Sequence, residues 1–121
     1  MRLEAKKYLY DIQQAAERIA DFTAGRGLED YRSNAMVRGA VERQFEIIGE
    51  ALAQLTRVDE TLAGRITEHR RIVAFRNALI HGYADVDDRV VWDVVETKLP
   101  VLRREIKALL SEAQAPPAQV G

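Results

Sequence analysis

Apolar residues recur at steps of three and four along most of the chain. Leu9, Ile12, Ala16 and Ile19 form one such stripe, which predicts an amphipathic helix from about Leu3 to Phe22. The two glycines of Ala24-Gly25-Arg26-Gly27 stop it and turn the chain. A second stripe, Val37, Val41, Phe45, Ile48, Leu52 and Leu55, predicts a long helix with Ser33 or Asn34 as its N-cap. Asp59 to Gly64 reads as a short helical or turn connection. Ile66 to about Ile80 then reads as a third helix with core positions Ile72, Phe75 and Leu79. Beyond Asp85, DVDDRVVWDVVETKLPVLRREIKALL is apolar at helical spacing through Val90, Val91, Val94, Leu102, Ile106 and Leu109. Its acidic first turn suits the helix dipole, and Pro100 is expected to kink or split it. From Ser111 to Gly121 two prolines and several alanines and glutamines show no periodicity, so a helical domain is expected over residues 1–110 and a disordered tail over 111–121. No segment alternates with a period of two and no internal repeat is visible. The expected architecture is all-α, an up-and-down bundle of four main helices.

Composition narrows what such a bundle can do. A chain of 121 residues, 47% hydrophobic and 31% charged, suits one domain with one core. No apolar run approaches the roughly 20 residues that cross a bilayer, and MRLEAKKYLYDIQQAAERIA lacks the apolar stretch of a secretory signal. A cytoplasmic protein without a membrane span is expected. Zero cysteines and two histidines leave no disulfide framework and argue against a structural zinc site, so neither metal nor cofactor is expected. A net charge of −1 supplies no whole-molecule attraction for nucleic acid, so any RNA contact must be local.

Candidate chemistry concentrates in Arg76-Asn77-Ala78-Leu79-Ile80-His81-Gly82-Tyr83. At 100° per residue, Ile72, Phe75 and Leu79 fall on one side of the third helix and Arg70, Ala74, Asn77 and His81 on the other. Arg76 lies between them, on a flank shared with His69, Val73 and Ile80. A solvated face more usually carries Glu and Lys pairs, whereas Arg, Asn and His beside a small Ala74 hint at an interface. The plainer alternative is a helix C-terminus: His81 near the negative dipole end, Gly82 in the left-handed position, Arg76 a surface charge and Tyr83 packed over the end. Spacing alone leaves both open.

The run Arg76-x4-His81-x-Tyr83, with Asn77 after the arginine, resembles the Arg-x4-His-x-Tyr signature of HepT-like ribonuclease toxins of the HEPN superfamily. FRNALIHGYADVDDRVVWDVV and the upstream AVERQFEIIGEAL are similar to that family's sequences in the same order, and the likeness spans roughly residues 1 to 110. The resemblance implies a homodimer whose active cleft lies at the dimer interface, and a metal-independent endoribonuclease that cuts RNA through its own 2′-hydroxyl. Arg76 and His81 would be catalytic. An imidazole can take the 2′-hydroxyl proton or protonate the leaving 5′-oxygen, while a guanidinium fork stabilises charge on the phosphoryl oxygens. Asn77, one turn from His81, would orient it. A phenol is a poor base at neutral pH, so Tyr83 needs another role. The resemblance implies one: a minimal nucleotidyltransferase antitoxin, of MntA type, neutralises the toxin by AMPylation of Tyr83, which Gly82 keeps on an exposed turn.

Other features carry less. Arg65, His69, Arg70 and Arg71 form a basic run that could follow an RNA backbone or be a solvated face. Glu46 and Glu50 could orient Arg76 or be ordinary surface carboxylates. Trp92 reads as core or dimer packing. The competing function is a non-catalytic helical interaction module that binds the nucleotidyltransferase partner, which the weak net charge favours and the intact Arg76 and His81 disfavour.

Overall fold

The computed structural model describes residues 1–82 and 86–114. Within them the chain forms helices joined by turns, with no strand: α1 (Leu3–Thr23), α2 (Leu28–Ser33), α3 (Ala35–Val58), α4 (Glu60–Ala63), α5 (His69–His81), α6 (Asp88–Asp93), a π turn (Val94–Lys98) and α7 (Leu99–Gln114). The first two stripes become the centre of the molecule. Leu9, Ile12, Ala16 and Ile19 of α1 and Val41, Phe45, Ile48, Leu52 and Leu55 of α3 are all buried, whereas Val37 is only half-buried. α1 lies between α3 and α7, and α3 carries α5 on its other flank.

Local chemistry sets the ends. Asn34 caps α3, its side chain accepting from the Val37 N–H at 3.1 Å. Gly25 takes φ 72° in the turn after α1. The turn leads into α2, six residues that lie below the reach of a periodicity argument and were not expected. α2 contributes Tyr31, fully buried and stacked on Trp92 with ring centroids 5.4 Å apart, which puts Trp92 in the core. Burial, reinforced by the charges of Glu42 and Asp88, pushes the Tyr31 phenol well above its usual range.

The expected third helix starts three residues late. Glu68 takes a left-handed φ of 56°, and Glu105 of α7 accepts from the Thr67 N–H at 3.0 Å and from its hydroxyl at 2.8 Å, so the chain before His69 is tied off as a turn. Ile66 is buried in that turn rather than in a helix. The expected split at Pro100 is found just upstream of the ring. At the π turn the Leu99 N–H reaches five residues back to the Val94 carbonyl, and Pro100 falls in the first turn of α7, where its missing N–H costs least. The buried face of this last element runs through Val91, Trp92, Val95, Leu99, Leu102, Ile106 and Leu109; Val90, assigned to it from spacing, is 51% exposed. α7 continues to Gln114, four residues into the segment expected to be a tail, and residues 115–121 lie outside the described residues. Among the described residues no helix is long and apolar enough to cross a membrane.

Candidate active site

α5 carries the Arg76 to His81 segment, and no residue of α5 is fully buried. Ile72, Phe75 and Leu79 do face the core, as the wheel predicts, but each is only partly covered; Phe75 meets Phe45 edge-on at 5.2 Å. Ala74, Ala78, Ile80 and His81 are exposed. The helix lies against α3 as a lid rather than inside the bundle.

Contact between the two helices is closest at Gly49. A Cβ there would overlap Cβ and Cγ of Arg76 and touch its Cδ at 3.3 Å. The stem of Arg76 therefore lies directly on the backbone of α3. Its guanidinium is fixed from two sides: Nη2 donates to Oε2 of Glu50, and Nη1 donates to Oδ1 of Asn77 at 2.7 Å. Gln54, one turn beyond Glu50, donates to its other oxygen, Oε1, at 3.1 Å. The buried Nε of Arg76 has no acceptor among the described residues. Arg76 and Ile80 thus form one wall of a recess of about 310 Å³, closed by Tyr8 and Asp11 of α1 and by Arg43, Glu46 and Glu50 of α3.

His81 is the last residue of α5. Gly82 follows at φ 60° with its N–H donating to the Ala78 carbonyl at 3.2 Å, so the left-handed C-cap expected under either reading is present. A second recess, about 520 Å³, opens beyond this cap between Arg38 and Glu42 of α3, Leu79, Gly82, Val86, Asp87 and Asp88. Glu42 is held above the usual carboxylate range, first by burial and then by the charge of Asp88, with Arg38 opposing. Tyr83 lies outside the described residues.

Of the sequence-predicted residues, Arg76 and Asn77 are thus brought together, and Asn77, expected to orient His81, holds the arginine. Glu50 joins them; Gly49 and Gln54 were missed. Glu50 makes the contact with Arg76 that one of its two readings allows, and the i to i+4 interval from Glu50 to Gln54 was there to see. The basic run disperses: Arg65 pairs with Glu112 at 2.7 Å and Arg71 with Glu68 at 3.2 Å, so two of its cations are already answered by carboxylates. Among the described residues no three His, Asp or Glu side chains converge on a metal position.

Comparison with known proteins turns on the same segment. The model of the family described as "Ribonuclease HepT-like" matches residues 12–109, which include Arg76 to Tyr83. The chain is 36% identical over 109 residues to a protein named "Probable ribonuclease HepT" from Thermococcus cleftensis, covering 90% of this chain and 98% of that one. It is 31% identical over 104 residues to a protein of Methanocaldococcus jannaschii named "Putative RNase", covering 86% and 94%. A second protein of that organism, named as a gamma-glutamylcyclotransferase joined to an RNase of the same kind, is 31% identical over 112 residues, half of its length. No solved structure matches.

Proposed function

We propose, for a chain that belongs to the HepT-like ribonuclease family, a ribonuclease in which Arg76 and His81 perform the cleavage and Asn77 holds Arg76 in place. The observation that carries this reading is the immobilised guanidinium of Arg76, five residues before an exposed histidine at the end of the same helix. The 2′-hydroxyl of the RNA loses its proton to one imidazole, and the resulting oxygen attacks the adjacent phosphorus. The 5′-oxygen departs with a proton from a second imidazole, leaving a 2′,3′-cyclic phosphate and a 5′-hydroxyl. Arg76 stabilises the charge on the non-bridging oxygens.

On this reading a second protomer completes the chemistry. Five residues on an α-helix separate Arg76 and His81 by about 7.5 Å along the axis and about 140° around it. Two copies pairing through the open side of α5, where Ala74, Ala78 and Ile80 are exposed, would bring both sets of side chains to a shared cleft. We assign the chain further to a toxin–antitoxin pair, in which a minimal nucleotidyltransferase transfers AMP from ATP to the Tyr83 oxygen with release of pyrophosphate. The added phosphate and adenosine would fill the cleft and oppose RNA by charge.

The test is cleavage of RNA by purified protein in EDTA. Wild type is expected to yield cyclic-phosphate ends, and Arg76→Ala and His81→Ala are expected to lose at least about a hundredfold in rate. Undiminished cleavage by both variants would sink the assignment. Incubation with the nucleotidyltransferase, ATP and Mg²⁺ is expected to add AMP to wild type and not to Tyr83→Phe. A second reading, the non-catalytic module, draws on the three carboxylates of Asp11, Glu46 and Glu50 around Arg76, which disfavour a polyanion. It predicts AMP transfer without any RNA cleavage.

A further inference from the structure

We infer that Glu50, braced by Gln54, is a positioning residue for Arg76 in RNA cleavage; the inference rests on the ribonuclease reading. An arginine side chain has four rotatable bonds and, on an exposed helix, no single direction. Here the first part of that freedom is removed by Gly49, whose bare backbone receives Cβ and Cγ of Arg76. The remainder is removed at the far end. Nη2 is bound to Glu50 on α3 and Nη1 to Asn77 on α5, so the fork is held between two helices.

Glu50 is itself fixed. Its Oε1 accepts from Gln54 at 3.1 Å, which leaves Oε2 for the guanidinium. The three side chains Gln54, Glu50 and Arg76 form a line of hydrogen bonds across the α3 and α5 crossing, and the side chain of Arg76 retains 25% exposure. Each Nη carries two hydrogens, and the protein takes one from each; the second pair stays on the fork for phosphoryl oxygens. A carboxylate that only neutralised Arg76 would gain nothing from a brace, whereas one that sets its direction does. Holding a transition-state donor to within an ångström is worth about a hundredfold in rate.

The experiment is steady-state RNA cleavage in EDTA by full-length wild type, Glu50→Ala, Glu50→Gln, Gln54→Ala and His81→Ala, with thermal melting of each. Glu50→Ala is expected to lower kcat by about ten- to a hundredfold with KM changed less than about threefold and melting unaltered. Glu50→Gln, whose amide oxygen still accepts from Nη2, is expected to recover most of that loss, and Gln54→Ala to lie between. Added guanidinium should restore Arg76→Ala when Glu50 is present and fail in Arg76→Ala/Glu50→Ala. If Glu50→Ala cuts at the wild-type rate or faster, loses only in KM, or fails in proportion to a lowered melting temperature, the positioning role is wrong while the ribonuclease reading stands on His81→Ala. If wild type leaves RNA intact, the ribonuclease reading falls and takes the role with it.

Discussion

Gly49 controls how near α5 can come to α3. Alanine at an exposed helix position is worth about 1 kcal/mol over glycine, but here the new methyl overlaps the stem of Arg76, and overpacking of that kind costs about 1–3 kcal/mol. The obstruction is Cβ and Cγ, not the mobile end of a side chain, so relief requires α5 to move. Gly49→Ala is therefore expected to melt at or a few degrees below wild type, by roughly 2–5 °C, and to lose far more cleavage than that change in stability explains. Full activity in the variant would show that the crossing opens freely. That Arg76, Asn77 and His81 share one helix was legible, because along a helix sequence separation is geometry. Asn77 as the partner of Arg76, and Gly49 and Gln54 at all, were not, because they depend on which helix lies alongside and how close.

At the level of elements, the long amphipathic stripes were legible and the interruptions were not. α1 and α3 bury the residues that spacing assigned, while α2 is a six-residue helix without enough turns to show a stripe. The late start of α5 depends on Glu105, nearly forty positions away, binding Thr67. Between α1 and α7 the visible tie is Arg103, whose Nε and Nη2 donate to the two oxygens of Glu17 at 2.9 and 2.8 Å. The hydrogen bond from Arg103 holds the Glu17 carboxyl below its ordinary value of 4.5. A carboxylate lowered in the folded state stabilises fully above its unfolded value, and the contribution fades as pH falls through the folded one. Both side chains are substantially exposed, so the pair is worth about 0.5 kcal/mol. Glu17→Gln is expected to melt slightly lower than wild type at pH 7, with the gap narrowing as acid protonates Glu17. A gap that persists unchanged once the carboxyl is protonated would place the effect elsewhere than in the ionised pair.

For the molecule as a whole, α5 is the helix that the bundle leaves unfinished. A helix bearing Ile72, Val73, Phe75, Leu79 and Ile80 yet burying none of them fully has a face that the described residues do not cover. A second copy there would complete both the packing and the proposed cleft. Sedimentation is expected to give a particle of twice the 13.7 kDa chain, and specific cleavage activity is expected to fall on dilution in step with dissociation. An active species at the mass of one chain would rule out the shared cleft. Composition set this scale only loosely: a net charge of −1 gave no hint that a guanidinium is held in place between two helices, because the arrangement is local.

The wide turn at Val94–Lys98 bears on how the length of this chain can change. A helix that spends one extra residue in a single turn keeps its faces aligned on either side, and Val91, Val95, Leu102 and Ile106 all enter the same core. Losing one residue from that turn would close it to ordinary pitch without rotating α7 against α6. The obstacle would be Pro100, whose ring would then press on the carbonyl four residues back. The extra residue and the proline are accordingly coupled: removing the first alone obstructs the helix, and the chain can shorten here only where position 100 has already ceased to be proline.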